Sequence, residues 1–297
     1  MVEDPDVTSL SVVLITRNGM PRLVDQLDAV LSQTWSGTWE LVVVDNDSDD
    51  ATAQTLATMA AQEPRVRIIN ARQRRSVAYA RNQGAEHARC SYVAFIDDDD
   101  LVGVGWLQNM AVSVSKYQYV AAQIDLHLLN HEILADARSS LTRSEIGHIG
   151  EIPMPAGATI AVRRDWFLAV GGADERFTAG AEDLDWAVRF HIRYGIEPTR
   201  CEGAIYHVRL RSDPMAALSQ GFRYGRAYVQ LFCRWQGILP RPAPLHQIGA
   251  ATRSWLGLAA RIPAALISRP KRAVMAFELG RSIGRLAGSI EYRFMFL

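Results

Sequence analysis

The chain has 297 residues, of which 48% are hydrophobic and 22% charged, and these ordinary values for a globular protein exclude wholesale disorder. The formal net charge is zero, but residues 241–297 hold nine basic and two acidic residues, so an acidic body carries a basic tail. Three widely spaced cysteines form neither a metal-ligand pattern nor a disulfide framework. No apolar run reaches the roughly 20 residues of a membrane span, and the acidic first residues lack the order of a signal peptide. We therefore expect a soluble or peripheral protein of the cytoplasm.

Strands and helices alternate in the first hundred residues. Short apolar runs predict buried strands, and the stretches between them carry apolar residues at helical spacing. The predicted strands cover 11–15, 41–44, 66–69 and 93–96, and the predicted helices begin at Pro21 and cover 51–61 and 77–88. This alternation predicts βαβ units and therefore a parallel sheet with flanking helices.

The rest of the chain is more mixed. We predict a helix at 106–114, strands at 119–126, 158–162 and 204–206, and a helix that opens near Glu182. Residues 136–149 show little periodicity and predict a mobile loop. Beyond residue 207, helical patterns appear at 216–235, 248–258 and 279–290.

Carboxylates follow two of the predicted strands directly. Asp45 comes after one of them, and the run from Asp97 to Asp100 comes after another. Open α/β sheets bind their ligands at the carboxyl ends of the strands. Since strand side chains alternate in direction, Asp97 and Asp99 can reach one point, and their oxygens suit Mg²⁺ or Mn²⁺. The alternatives are a solvated acidic turn at 97–100 and an ordinary turn at Asp45.

Three further residues are candidates, each with a structural alternative. Arg81 can face a diphosphate or be a surface arginine. Asp183 stands among three acids in one helical turn, where the helix dipole explains one or two of them, and Asp185 would then be exposed or serve as a cap. His207 follows a strand, although a lone histidine is usually a packing residue. The glycine fingerprints of dinucleotide-binding and P-loop proteins are missing, so side chains must hold any nucleotide.

Several short motifs in order resemble family-two glycosyltransferases of the GT-A fold, of the bacterial, inverting, D-x-D type. The resemblance spans about residues 11–207, and although each motif is weak alone, their order is specific. The motifs are Ser11-Val12-Val13-Leu14-Ile15-Thr16-Arg17-Asn18, Val43-Val44-Asp45-Asn46-Asp47-Ser48, Ala80-Arg81-Asn82, Phe95-Ile96-Asp97-Asp98-Asp99-Asp100, Val162-Arg163-Arg164, Gly171-Gly172-Ala173-Asp174-Glu175-Arg176-Phe177 and Glu182-Asp183-Leu184-Asp185-Trp186.

The resemblance implies a GT-A fold, a mixed and mostly parallel sheet flanked by helices, and roles in donor binding. Thr16 and Asp45 would line the nucleobase pocket, with Asp45 accepting a hydrogen bond from the base. Arg81 would lie near the diphosphate or the base, and Asp98 would contact the ribose. The family usually has Tyr where Arg17 stands, so a guanidinium stack would replace an aromatic contact with the base. It often has Gly where Asp47 stands, which would either tighten the donor pocket or alter the turn.

The resemblance also implies a metal and a catalytic base. Asp97 and Asp99 match the ends of the D-x-D motif, and Asp99 would bind Mn²⁺ or Mg²⁺ directly. His207 would complete the metal shell, and Asp100 would be only a cap. Asp183 would accept the proton of the attacking hydroxyl. A single displacement would then invert the configuration at the anomeric carbon.

The expected function is transfer of a sugar from a nucleotide-diphosphate sugar to a glycan or glycolipid acceptor in bacterial glycan synthesis. One alternative is a nucleotidyltransferase that makes a nucleotide sugar, but the glycine-rich activation loop of that class is missing. The other is a non-catalytic scaffold of the same fold. We expect a catalytic domain at 1–215 and a helical extension at 216–297. The basic helices of that extension would bind an anionic membrane surface, the catalytic domain or a second subunit, and no nucleic acid.

Overall fold

The computed structural model of the protein describes residues 9–142, 145–241 and 243–296. Its elements follow in chain order as β1 Ser9–Thr16, α1 Arg22–Leu31, β2 Thr38–Asp45, α2 Thr52–Gln62, β3 Val66–Asn70, α3 Val77–His87, β4 Tyr92–Asp97, β5 Leu101–Val102, α4 Trp106–Tyr117, β6 Tyr119–Asp125, α5 Glu132–Ala137, β7 His148–Ile149, β8 Ile152–Pro153, β9 Ile160–Arg163, α6 Arg164–Ala169, α7 Glu182–Tyr194, β10 Thr199–His207, α8 Pro214–Arg234, α9 Pro244–Ile267 and α10 Arg269–Glu291. Short 3-10 helices cover Ser139–Thr142 and Gly157–Thr159.

Within the described residues, eight strands form one mixed sheet in the order β3-β2-β1-β4-β9-β6-β10-β5. The pairs among β3, β2, β1 and β4 are parallel, and so is the pair of β6 with β10. Strand β9 runs antiparallel between β4 and β6. The register places Thr16 beside Asp45 and Ile15 beside Asp97. Strands β1, β2 and β4 therefore end at one edge, and the predicted mixed, mostly parallel sheet is confirmed.

The sheet is buried on both faces because helices cover it on both sides, as its continuous apolar strands predict. Successive residues of β1 enter different layers: Val12 and Leu14 pack with α1, α2 and α4, while Val13 and Ile15 pack with α3, α6 and α7. This alternation follows from the two-residue period of a strand. The helices on the two faces thus hold the strand ends from which the candidate residues project.

Two sequence predictions need correction in this part of the molecule. The strand expected from residue 158 begins at Ile160, because Gly157–Thr159 forms a 3-10 turn. The mobile loop expected at 136–149 is partly regular, since α5 ends at Ala137 and β7 pairs with β8. Ile149 and Ile152 pack into an apolar cluster with α7 and α8, which holds this hairpin in place. Residues 143 and 144 lie outside the described residues.

The C-terminal helices pack on the rest of the chain. Phe232 of α8 and Phe294 and Phe296 beyond α10 are buried with Phe177 and Val188, which precede and belong to α7. Helix α8 begins at Pro214, two residues before the predicted start of the extension at 216, and the division into two domains stays a prediction. Throughout the described segments, no helix is both long and apolar enough to cross a membrane.

Helices α8 and α10 approach each other through a seam of glycines, Gly221, Gly225, Gly280, Gly284 and Gly288. A Cβ added at Gly284 would overlap the carbonyl oxygen of Phe222, and one at Gly221 would overlap that of Phe277. The glycines therefore permit direct backbone contact between the two helices, as at small-residue helix interfaces elsewhere.

We expect Gly284→Ala to lower the free energy of unfolding by about 1–3 kcal/mol, because the new methyl group must push α10 away from α8. The matched control is Gly257→Ala in α9, where an added Cβ meets no atom within 4 Å. There the substitution should stabilise the helix by up to about 1 kcal/mol. Urea denaturation measures the change in the free energy of unfolding for each variant. Equal changes for the two variants would contradict direct backbone contact at the glycine seam.

Candidate active site

The ends of β1, β2 and β4 bring together most of the predicted donor-binding residues. Thr16 and Asp45 are 3% and 2% exposed and lie side by side in the register. The hydroxyl of Thr16 donates to Oδ2 of Asp98 at 2.5 Å, and the backbone N–H of Arg17 also donates to Asp98. The Arg17 side chain is exposed. Thr16 and Asp98, 82 residues apart in the chain, thus form one polar unit.

Asp45 and its neighbours shape the loop beside this unit. Oδ1 of Asp45 accepts the Ser48 N–H at 3.0 Å, the turn contact that was the structural alternative for this residue. The side-chain amide of Asn46 donates to the carbonyl oxygens of Ala71 and Arg74 in the loop before α3. Asp47 has a φ of 64°, a conformation natural for glycine, and its Oδ2 accepts a hydrogen bond from Nε of Arg75 at 2.7 Å.

The four aspartates have four different partners. Oδ1 of Asp97 is 3.3 Å from Arg81, and Oδ2 of Asp99 is 2.9 Å from Arg211 and 4.0 Å from Arg22. Oδ1 of Asp100 accepts the backbone N–H of Arg209 at 2.7 Å. Asp100 is 5% exposed and therefore braces the segment after β10, a larger role than a cap.

Burial and neighbouring carboxylates raise the pKa values of Asp97, Asp98 and Asp100. Burial raises the pKa of Asp98 to about 6, helped by the charges of Asp99 and Asp97 and opposed by the Thr16 hydrogen bond. Burial also raises the pKa of Asp97 and, with the charges of Asp97 and Asp99, that of Asp100 to well above its usual range. A cation bound here would relieve this repulsion.

We expect Asp98→Asn to be more stable than the wild type above pH 6 in EDTA, by roughly 1–2 kcal/mol. The folded Asp98 carboxyl binds more protons than the unfolded one between about pH 4 and 6, so wild-type stability falls as the pH rises through that interval. The control is Asp165→Asn, because hydrogen bonds from Arg163 lower the pKa of Asp165. That variant should instead be less stable than the wild type, and by the same amount at pH 5 and pH 8, because both values lie above the range in which the Asp165 carboxyl takes up its proton. Urea titrations at pH 5 and 8 measure both, and a pH-independent gain for Asp98→Asn would contradict the prediction.

Two buried residues that the sequence did not single out position the acidic run. Gln26 of α1 donates to the Asp97 carbonyl at 3.0 Å and accepts the Val102 N–H at 3.0 Å. The hydroxyl of Tyr206 accepts the Asp97 N–H at 2.8 Å. Gln26 is fully buried beside Leu23 and Leu27, and a polar residue next to the apolar stripe of α1 was the available signal.

Arg81 is a buried bridge between β4 and α7. Its side chain is 7% exposed and lies 2.8 Å from Glu182 and 3.3 Å from Asp97. Burial by itself would lower the pKa of Arg81, but the charges of Asp97, Glu182 and Asp183 raise it. The alternative of a surface arginine is therefore wrong. Arg81 instead fixes the distance between the acidic run and the first turn of α7.

Asp183 is held at the start of α7 by backbone groups. Its Oδ2 accepts the Gly157 N–H at 2.9 Å, and its Oδ1 accepts the Leu184 N–H at 2.9 Å. A Cβ at Gly157 would lie 2.7 Å from both Asp183 Cβ and Arg81 Nη1. Only glycine therefore leaves room for this contact, and the sequence did not indicate that role.

The neighbours of Asp183 have structural roles. Burial, helped by the charge of Asp183 and opposed by Arg81, raises the pKa of Glu182 to about 7. Asp185 was expected to be exposed or to act as a cap, and this is wrong: it is fully buried. Arg189, Arg234 and the indole N–H of Trp235 bind it at 2.8–3.0 Å, so Asp185 joins α7 to α8.

The space between the ends of β1, β2 and β4 and the first turn of α7 is called the cleft. Tyr224 of α8, which the sequence did not indicate, lies near it. Desolvation and the charges of Asp183, Asp97 and Glu182 raise the pKa of its phenol. A Cβ added at Gly180, which has a φ of 118°, would lie 3.4 Å from the Tyr224 ring. Helix α8 therefore packs beside the segment that leads into α7.

His207, the predicted second metal ligand, binds Asp125 through Nδ1 at 2.8 Å. Histidines that bind metals commonly donate their other ring N–H to a carboxylate in this way. Across 9–142, 145–241 and 243–296, no three histidine, cysteine, aspartate or glutamate side chains converge as a ready-made metal site. Mg²⁺ typically uses one or two carboxylates and completes its shell with water and phosphate oxygens. Asp99 supplies one carboxylate of that kind, and the Asp125 contact leaves Nε2 of His207 as the ring nitrogen for a metal.

Comparisons with known proteins identify the family. Residues 11–167, more than half of the chain, match the family described as Glycosyl transferase family 2. Glycosyltransferase AglE of Haloferax volcanii is 24% identical over 75% of this chain and 74% of its own. The Escherichia coli UDP-Glc:alpha-D-GlcNAc-diphosphoundecaprenol beta-1,3-glucosyltransferase WfgD is 28% identical over 34% of this chain and 37% of its own.

A solved structure extends the likeness in fold. The mannosyltransferase PcManGT from Pyrobaculum calidifontis, in complex with GDP-Man and Mn²⁺, superposes with a TM-score of 0.66. The match covers 95% of this chain and 88% of that one at 20% identity, so it speaks for the fold alone. With the family match over residues 11–167 and the GT-A architecture, this chain belongs to glycosyl transferase family 2.

Proposed function

We propose that the protein transfers a sugar from a nucleotide-diphosphate sugar to an acceptor hydroxyl, with inversion at the anomeric carbon, in the synthesis of a glycan or glycolipid. The observation that carries this proposal is the position of Asp183. Its carboxylate is fixed by the Gly157 N–H in the first turn of α7, and Arg81 links that turn to the acidic run through Glu182 and Asp97. The proposed base would therefore lie beside the proposed donor site.

The donor would lie across the strand ends. Asp45 would accept a hydrogen bond from the base, and Asp98, held by Thr16, would accept one from the ribose. The exposed guanidinium of Arg17 would stack on the base. Arg81 is already paired with two carboxylates, so its part would be to position Asp97 beside the diphosphate.

A divalent cation, Mn²⁺ or Mg²⁺, would be held by Asp99 and His207, with Asp97 close by. Such an ion supplies charge stabilisation to a departing diphosphate. In the free protein, Arg211 pairs with Asp99 at 2.9 Å and supplies part of the positive charge that the carboxylate needs. Mn²⁺ in complex with the similarly folded mannosyltransferase supports this choice of ions.

The chemical step requires a base for the acceptor hydroxyl and a leaving group on the anomeric carbon. As the acceptor oxygen attacks the anomeric carbon, its proton passes to Asp183, and the bond from that carbon to the diphosphate oxygen breaks. Because attack and departure occur on opposite faces, one displacement inverts the configuration. The two backbone hydrogen bonds of Asp183 orient the carboxylate before the acceptor arrives.

A thermal-shift panel of UDP-, GDP- and dTDP-sugars, each with and without Mn²⁺, tests the proposal. One donor should raise the melting temperature, and by more with Mn²⁺, since a ligand that binds only the folded state stabilises it. The matching nucleoside monophosphate is the control for diphosphate recognition. If no donor shifts the transition, the protein is a non-catalytic scaffold of this fold.

We further propose that the C-terminal helices bind an anionic membrane surface. Helix α9 exposes several apolar side chains, and at its end Leu266 and Ile267 are 72% and 87% exposed. Arg269, Lys271 and Arg272 follow directly. Exposed apolar residues beside basic ones are typical of interfacial helices.

The double substitution Leu266→Asp and Ile267→Asp should abolish flotation with vesicles that contain phosphatidylglycerol, because it removes the inserted residues and adds negative charge. The control is Val104→Asp, which changes a fully exposed valine far from α9 in sequence and should not alter flotation. Flotation of the double variant at the wild-type level would contradict membrane binding through this end of α9.

A further inference from the structure

A basic cavity of about 470 Å³ lies beside the acidic run, and nothing above assigns it a ligand. Its walls come from the segments after β6 and β10, the first turn of α1 and the beginnings of α8 and α10. Four arginines line it: Arg22, Arg209, Arg211 and Arg269. Its volume falls in the range of pockets that hold small molecules.

The charge of the lining favours an anion. Among the described residues that line the cavity, Asp213 is the only carboxylate, and it lies 3.8 Å from Arg269 with both side chains more than half exposed, an arrangement that contributes little. Asp99 at the border is shared by Arg211 and Arg22. Positive charge therefore exceeds negative charge, and guanidinium groups match the oxygens of a phosphate.

The helix ends add to this preference. Ala216 in the first turn of α8 and Arg269 and Pro270 at the beginning of α10 line the cavity. These helices have 21 and 23 residues, so the positive ends of two long helix dipoles point toward one space. The dipoles and the arginines favour the same kind of ligand.

The cavity adjoins the proposed donor path at Asp99 but does not overlap the rest of it. That path runs from Asp45 on β2 past Thr16 on β1 to Asp97 on β4, three neighbouring strands of the sheet, and none of these three residues lines the cavity. Arg22 and Arg211 in the lining contact Asp99. Leu129, Leu134 and Leu210 add apolar walls, and the exposed end of α9 lies two residues before Arg269. A second, amphiphilic substrate suits this space.

We propose that this cavity binds a phosphate or diphosphate group carried by the acceptor, so that the acceptor is a phosphorylated, membrane-borne molecule. This inference rests on the proposed glycosyl transfer. The acceptor's anionic group would anchor among the arginines and its hydroxyl would reach toward Asp183, while the donor occupies the strand ends.

The test measures binding of inorganic pyrophosphate to the full chain by calorimetry at one fixed concentration of free Mg²⁺. The nucleotide whose sugar raises the melting temperature in the thermal-shift panel is present at saturation. Arg269→Gln should weaken this binding about fivefold to tenfold, since one charge-assisted contact is lost. Arg269→Lys should recover part of it. The control is Lys271→Gln, a neighbouring charge that does not line the cavity, and it should leave pyrophosphate binding unchanged.

Each other outcome overturns the inference. If Arg269→Gln weakens nucleotide binding as much as pyrophosphate binding, the cavity serves the donor diphosphate. If it weakens only binding to phosphatidylglycerol vesicles, the cavity serves lipid head groups. If the nucleotide binds but pyrophosphate does not, the proposed acceptor site is wrong, while the proposed glycosyl transfer is unaffected. If pyrophosphate binds in an Arg269-dependent way but no nucleotide binds, the proposed glycosyl transfer is wrong. The ligand of the cavity is then not an acceptor.

Discussion

Asp183→Asn should lower kcat by about 10²–10⁴-fold while leaving the affinity for the donor within about twofold, as expected for loss of a general base. The amide oxygen can still accept the Gly157 N–H that holds Asp183, so the fold of the cleft should persist. What disappears is the lone pair that takes the proton of the acceptor. Initial rates of nucleotide release and donor titration by calorimetry measure the two effects separately.

The control is Asp165→Asn in α6. That carboxylate is exposed and pairs with Arg163, outside the cleft, so the variant should keep the wild-type kcat. Turnover of Asp183→Asn within about threefold of the wild type would remove Asp183 from the role of base. Glu182, whose buried carboxyl pairs with Arg81, would then be the residue to test next.

Arg81→Met should lower the free energy of unfolding by about 3–5 kcal/mol at pH 8, because it strands Glu182 as a buried charge without its partner. The loss should shrink as the pH falls. Burial already raises the pKa of Glu182 to about 7 in the presence of Arg81, and without the guanidinium the carboxyl protonates more readily still. Below that pKa the stranded group is neutral, so urea denaturation at pH 5 should show a smaller difference than at pH 8.

Two further variants make the Arg81 prediction specific. Adding Glu182→Gln to Arg81→Met should restore part of the lost stability at pH 8, since no charge is then stranded on α7. Arg75→Met breaks the exposed pair with Asp47 and should cost less than about 1 kcal/mol. Losses from Arg81→Met and Glu182→Gln that simply add would contradict a direct interaction between the two residues.

The sequence predicted the sheet and most strand ends because apolar runs and turn residues carry that information locally. The rule that parallel strands end together predicted that Asp45 and Asp97 lie at one end of the sheet, and the register confirms this. Asp183 was added through the family resemblance, and its membership of the same site stays a prediction. Those placements needed no knowledge of side-chain partners. The roles given to Thr16, Arg17, Arg81, Asp98, Asp99 and His207 remain predictions, as does the base role of Asp183.

Partners from distant parts of the chain could not be predicted. The fate of Asp185 depends on Arg234 and Trp235, about 50 residues away on α8, and no local pattern reports such contacts. The same holds for Gly157, whose missing side chain matters only because Arg81 and Asp183 meet there. Gln26 differs, since a polar residue next to the stripe of α1 was visible in the sequence.

The glycine seam between α8 and α10 couples two parts of the molecule mechanically. Tyr224 of α8 lies near Asp183, and Arg269 of α10 lines the basic cavity. Because backbone lies directly on backbone between these helices, we expect a displacement of α8 to displace α10 and the cavity lining as well. Deleting residues 241–297 would expose the glycine face of α8 to solvent. The role of the tail is therefore best tested by point substitutions, which keep the contact between α8 and α10.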